Sequence, residues 1–233
     1  MYFQHSTQLW QDYPALVPGV VYVDGITSAA DVGAAVHRFT AIAKSRLAAV
    51  ATESELPEIQ AWRRAFAAMG LKPTQYRCAS ESLLRRFRKE GGLPALHPLV
   101  DLCNAVSLAY AIPVAVLDVA QISGPLTVRH ATGNEEYLTF AGDTEHPAPR
   151  EVIFADQAGQ AHARRWTNRQ SGLSAIRDST SAALIVAEAL HDRAPDDISE
   201  LIDTLAAELG TGWSLTPQTA ILTASSPVFT FGT

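Results

Sequence analysis

The chain has 233 residues, 47% of them hydrophobic and 18% charged, with a formal net charge of −6. That length buries a real core without staples, the composition is that of an ordinary globular protein, and the acidic balance argues against a strongly basic nucleic-acid binder. Cys78 and Cys103 have no CxxC or Cys/His spacing, which disfavours a disulfide framework or a zinc site, and the apolar run from Ala109 to Ala120, broken by Pro113 and Asp118, is too short to span a bilayer.

The opening Tyr2-Phe3-Gln4 is given no weight, and the absence of a basic segment followed by an apolar one predicts a cytoplasmic protein. After Pro18-Gly19, the β-formers Val20 to Val23 predict a strand closed by Asp24-Gly25. Thr27 or Ser28 caps a helix running to about Val50, with Asp31 near its positive end. Pro57 opens a second helix through Trp62 and Phe66 to Gly70, and Ser80 caps a third that stops at Gly91-Gly92. A fourth helix starts at Pro98 and ends before Pro113. Leu99, Cys103, Val106 and Tyr110 form its core stripe, with Asp101 and Asn104 sharing another face.

Beyond Pro113 the pattern changes to short strands at Val114 to Leu117, Leu126 to His130, Tyr137 to Phe140, Glu151 to Ala155 and His162 to Trp166. Turn chemistry such as Ser123-Gly124-Pro125 and Gly133-Asn134 separates them. Two helices, about Ser179 to Leu190 and Asp197 to Leu209, a strand near Ala220 to Thr223 and a polar tail complete the chain. This order predicts an α+β fold, a mostly antiparallel sheet flanked by helices, rather than a doubly wound sheet.

The charge is unevenly spread, with a basic segment from Arg63 to Lys89 and an acidic one from Asp192 to Glu208. A local basic face suits a phosphate backbone, and a solvated helix face fits the charges equally well. There is no GxxxxGK[ST] loop, no GxGxxG after a strand and no nucleophile elbow, and the histidines are scattered with none at HxxxH spacing. No cofactor and no metal site are predicted. What remains is a dispersed polar set: Arg77, Ser80, Glu81, Asp101, Asn104, Asp118, Arg129, the run Arg164 to Gln170, and Asp178-Ser179-Thr180. Arginine, asparagine, glutamine and tryptophan are the residues that grip phosphates and read or stack on bases. Singly, each suits a structural role as well.

Taken in order, these residues resemble the B3/B4 domain of the phenylalanyl-tRNA synthetase β subunit and its free-standing relatives. The matching elements are Tyr76-Arg77…Ser80-Glu81-Ser82-Leu83, Val100-Asp101-x-x-Asn104, Pro113, Asp118, Gly124…Val128-Arg129, Glu135-Glu136, Glu151-Val152, Arg165-Trp166…Arg169 and Asp178-Ser179-Thr180. They run from about Arg63 to Leu190, which places a B3/B4-like domain at 63–215, a packed strand and helices at 1–62, and a C-terminal strand and tail at 216–233.

The resemblance implies a trans-acting deacylase that hydrolyses the ester of mischarged aminoacyl-tRNA, a second sieve for near-isosteric amino acids. Such an ester is already activated, so a positioned water and hydrogen-bond donors at the oxyanion suffice. It assigns catalysis to Thr180, at the expected helix N-terminus, and Asn104, which would hold a pocket backbone. Asp101, Asp118, Arg129, Trp166 and Ser179 would line the substrate pocket, and Arg77, Arg85, Arg86, Arg165 and Arg169 would face the tRNA. The implied partner is aminoacyl-tRNA, with no membrane, no obligate metal, and a homodimer left open.

Two positions depart from the family's pattern. Ala115 stands where the family carries a histidine, and the family's hydroxyl-reading glutamate falls near Val186, with Glu188 two positions on. A tyrosine specificity therefore does not carry over. The alternative is a non-catalytic tRNA- or protein-binding module on the same fold.

Overall fold

The computed structural model describes residues 1–232. Its strands are β1 (Tyr2–His5), β2 (Val17–Asp24), β3 (Val114–Asp118), β4 (Leu126–His130), β5 (Tyr137–Leu138), β6 (Thr144–Glu145), β7 (Val152–Ala155), β8 (Ala161–Arg164), β9 (Arg169–Gln170), β10 (Ala182–Ala189), β11 (Gln218–Ile221) and β12 (Val228–Thr230). Its helices are α1 (Thr7–Asp12), α2 (Gly33–Ala48), α3 (Pro57–Ala68), α4 (Ala79–Glu90), α5 (Pro98–Tyr110) and α6 (Ala194–Trp213). Two main sheets organise them, one ordered β12-β1-β4-β7-β8-β9 and the other β11-β2-β10-β3. Their ladders are antiparallel except for β1 with β4, so the fold is the mixed, mostly antiparallel α+β arrangement expected.

Alternation along the strands sets two cores. Leu184 and Val186 of β10, Val20 of β2 and Leu117 of β3 face the second sheet, meeting Phe3, Val128, Phe154 and Ala163, with Trp62 and Phe66 of α3 closing the side. Ala183, Ile185 and Ala187, Val21 and Val23, and Val116 face the other way, onto α2, α5 and α6. Such period-2 sorting follows from the pleat. Gly19 lets α6 seat directly on β2: a Cβ there would lie 2.5 Å from Ile202 Cγ1.

The helix expected at Ser179 to Leu190 is instead strand β10, paired with β2 and β3. Both of its faces are buried, so Ala-Leu-Ile-Val-Ala reads as one apolar run with no visible alternation, and its alanines mimic helix propensity. Other corrections concern termini. Helix α2 starts at Gly33, whose N–H is met by Asp31 Oδ1, so Thr27 and Ser28 do not cap it. The capping position of α4 is Cys78, and Ser80 is buried inside the first turn with its Oγ 3.3 Å from Cys78 Sγ.

The two ends of the chain are built into the sheets. β1 lies between β12 and β4, and the expected polar tail supplies β12 together with buried Phe229 and Phe231. β1 was invisible because a four-residue strand at a terminus has too little pattern to read.

Candidate functional site

The chemistry collects on the side of β10 that faces the second sheet. Ala115 of β3 and Val186 of β10 are direct cross-strand partners. With Pro113, Phe154, Ala163, Trp166 and Gln170 they line a cleft of about 50 Å³ at the seam between the sheets. Glu188 lines it too, two residues along the same strand face and only 1% exposed.

A carboxylate buried this deeply needs partners. Glu188 Oε1 accepts from Trp166 Nε1 at 2.9 Å and lies 2.7 Å from His5 Nε2. Its carbonyl accepts from Trp62 Nε1 at 3.2 Å. Oε1 carries both side-chain bonds, so Oε2 is the oxygen left for a ligand among the described residues. Thr167 is another lining residue of the cleft, and its hydroxyl is buried without a partner.

The turn after β8 holds Trp166 in this place. Arg165 and Trp166 both take left-handed backbone conformations, at φ 48° and 58°. Each costs about 1–2 kcal/mol for a residue with a Cβ. Offsetting contacts come from the Trp166 N–H bonded to Val152 O, and from edge-on packing of the indole against Trp62 at 5.0 Å and Tyr13 at 4.7 Å. Next, Gln170 Nε2 donates to Val116 O at 2.6 Å, clamping the free edge of β3 to the opposite sheet, and Asn168 Nδ2 donates to Arg77 O.

The residues singled out from sequence divide among several places. Trp166 alone of the expected pocket residues lines the seam cleft. Thr180 lies in the turn before β10, not at a helix N-terminus; its hydroxyl donates to Asp118 Oδ2 at 2.8 Å and accepts from Arg177 N. Asp118 also accepts from Ala120 N, so this pair is brought together but its hydrogen bonds are spent within the turns. Ser179 is exposed beside them.

Asp101 and Asn104 lie on the helix side, lining a separate cavity of about 350 Å³ between α2, α5 and the segment before α5. Asp101 accepts from Leu96 N at 2.9 Å, which fastens that segment. Asn104 holds no backbone of the seam cleft. Arg129 points to the outer face of the six-stranded sheet, paired with Glu135. Burial works to raise the Glu135 carboxyl, but the Thr132 N–H, the Arg129 guanidinium and the Gly133 N–H outweigh it and hold it at about 2.

Of the arginines expected to face nucleic acid, Arg169 is exposed and lines the cleft's mouth, 3.3 Å from Glu145. Arg165 lies over the Tyr76 ring at 4.8 Å, and Arg77 lies 3.5 Å from Glu81. Arg85 and Arg86 are exposed on α4, the first 3.8 Å from Glu53 and the second bonded to Glu90 at 2.8 Å. The sequence marked Glu188 only as the acid two positions past Val186 and Thr167 only as part of the run Arg164 to Gln170; His5, which anchors Glu188 without lining the cleft, carried no signal beyond polarity.

Fold and site together define a two-sheet α+β domain with a small cleft at the sheet seam. The B3/4 domain family matches residues 61–200, and the chain belongs to that family. It is 32% identical over 75 residues to the phenylalanine–tRNA ligase beta subunit of Chromobacterium violaceum, covering 32% of this chain and 10% of that protein. The corresponding subunit of Cereibacter sphaeroides is 36% identical over 67 residues, covering 29% and 8%. These matches thus span about a tenth of the relatives' length. An N-terminal fragment of the phenylalanyl-tRNA synthetase beta subunit from Pyrococcus horikoshii superimposes with a TM-score of 0.47 at 8% identity, covering 94% of this chain and 53% of that one. Among the described residues no helix is long and apolar enough to cross a membrane.

Proposed function

We propose that this chain hydrolyses the ester of mischarged aminoacyl-tRNA, acting in trans and in the cytoplasm. The observation that carries the reading is Glu188, a buried carboxylate with one oxygen anchored by Trp166 and His5 and the other left for a ligand in the seam cleft. The aminoacyl group enters the cleft past Arg169, with the tRNA 3′ end outside, where Arg165, Arg77 and the exposed arginines of α4 offer positive charge.

Glu188 accepts a proton from a water as that water attacks the ester carbonyl carbon. The Thr167 hydroxyl donates to the oxygen that becomes negative. The bond to the ribose oxygen then breaks, the proton passes to that oxygen, and free amino acid and uncharged tRNA leave. Thr180 and Asp118 support the reaction by fixing the entry to β10, and Asn104 acts only through the packing of α5.

Size sets the substrate class. A cleft of about 50 Å³ over an Ala115–Val186 floor takes a small side chain and is too small for a phenol ring. We expect esters of small amino acids to be cleaved ahead of those of phenylalanine and tyrosine. The test is loss of labelled amino acid from a panel of aminoacyl-tRNAs. No acceleration over buffer for any of them sinks the reading. Ala115 in place of the family's histidine favours the second reading, binding without hydrolysis, for which tRNA would bind in a salt-dependent way and keep its ester.

A further inference from the structure

A cavity of about 660 Å³ shares no lining residue with the seam cleft and lies where α3, α5 and the β10–α6 turn meet. Glu58 in the first turn of α3, His191 after β10 and Asp197 in the first turn of α6 converge on it. One ligand atom from each lies within 4.8 Å of the other two.

The hydrogen bonds of this cluster leave it incomplete. His191 Nε2 meets Asp197 Oδ2 at 2.7 Å, and Arg46 donates to Glu58 Oε1 at 2.7 Å and to Ala109 O at 2.9 Å. Glu58 Oε2 and His191 Nδ1 are nevertheless both buried without partners, in residues each only 7% exposed. A bond that merely closed the turn before α6 would account for His191 Nε2 and Asp197 Oδ2 but not for a stranded imidazole nitrogen and a stranded carboxylate oxygen. An ionised carboxylate accepts only, so what satisfies Oε2 is a donor or a cation. Arg46, which lines the same cavity, holds that carboxylate through its other oxygen, as outer partners do for metal ligands.

We propose that Glu58, His191 and Asp197 bind a divalent transition-metal ion of the Zn²⁺ or Mn²⁺ class. One imidazole with two carboxylates suits those ions better than Mg²⁺ or Ca²⁺, which take oxygen alone. Three protein ligands leave a coordination position open toward the cavity, where Tyr110 and Glu200 stand. The ligands come from three separate elements, so the ion also ties α3 to the start of α6. Positions 58, 191 and 197 have no recognisable metal spacing, which is why the sequence does not disclose them.

The test uses the full chain stripped with a chelator and titrated with Co²⁺, read by its visible absorption, and with Zn²⁺, read by calorimetry. One ion per chain is expected, with a higher Tm in Zn²⁺. Glu58→Gln and Asp197→Asn, checked for folding by circular dichroism, should each weaken binding about tenfold or more, and Mg²⁺ should not compete. The buried Cys78, its thiol pushed up to about 12 by burial, and the equally buried Cys103 are poor competing ligands. Absence of binding, equal binding in both variants, or displacement by equimolar Mg²⁺ overturns the proposal.

Discussion

On the helix side of the four-stranded sheet, β10 offers Ala183, Ile185 and Ala187 to an apolar core shared with α5 and α6. On the side facing the second sheet the same strand presents Leu184, Val186 and then Glu188. Three polar residues near the helix side bond within the fold: Asp101 fastens the segment before α5, while Thr180 and Asp118 fasten the turn before β10. Glu188 keeps an oxygen in reserve. One face of this sheet packs as apolar core and the other holds a buried carboxylate with one oxygen unbonded among the described residues, and that contrast is why we propose the seam as the place of function.

The largest expected effect comes from removing the seam's anchor. Glu188→Ala strands the Trp166 indole N–H and the His5 ring, and should cost on the order of 3 kcal/mol in urea unfolding and abolish deacylation. Glu188→Gln keeps a bond to Trp166, so it should lose hydrolysis while retaining most of the stability. Full activity in that variant would place the chemistry elsewhere. Ala115→Phe fills the cleft beside Val186, and we expect about a hundredfold loss of kcat/KM with tRNA binding unchanged. Parallel loss of both would mean the cleft holds the fold rather than the substrate.

A middle-sized effect belongs to the other polar pair. Thr180→Val leaves Asp118 Oδ2 and the Arg177 N–H without their partner, for about 1–2 kcal/mol, with kcat/KM falling less than with Ala115→Phe. The smallest is Asn104→Ala, on the helix side, for which activity within about twofold of the parent is expected because the residue touches no part of the seam.

Acid sharpens the contrast from the outer face of the six-stranded sheet. The Glu135 carboxyl, ordinarily near 4.5, is lowered to about 2, and Glu151 and Asp156 are lowered as well. A lowered carboxylate contributes stability that is fully present above its unfolded value and is lost as pH falls through the folded one. Urea midpoints should therefore drop from about pH 4.5 toward pH 2, and Glu135→Gln should flatten part of that slope.

Much of the fold was legible. Pro57, Pro98 and Pro113 mark helix boundaries by chain geometry, and Val114 to Leu117 and Leu126 to His130 carry strand pattern. β10 was not legible, because a strand buried on both faces loses the alternation that betrays one. That error also misplaced Thr180, since a helix there would have put its hydroxyl at an N-terminus. Motif order found the family, while the site depended on pairings no local pattern encodes: Ala115 with Val186 across a ladder, and His5 with Glu188 from opposite ends of the chain. Asn104 and Asp118 matched the motif and face away from the seam, a distinction set by strand parity and helix rotation in three dimensions.

The account's central claim is that the seam cleft cleaves aminoacyl esters through Glu188. The most direct measurement is the first-order rate of ester loss from tRNA charged with a small amino acid, comparing the parent chain with Glu188→Gln at matched concentration. The account predicts clear acceleration over buffer by the parent and a rate indistinguishable from buffer with the variant. Equal rates for the two proteins, fast or slow, would contradict it.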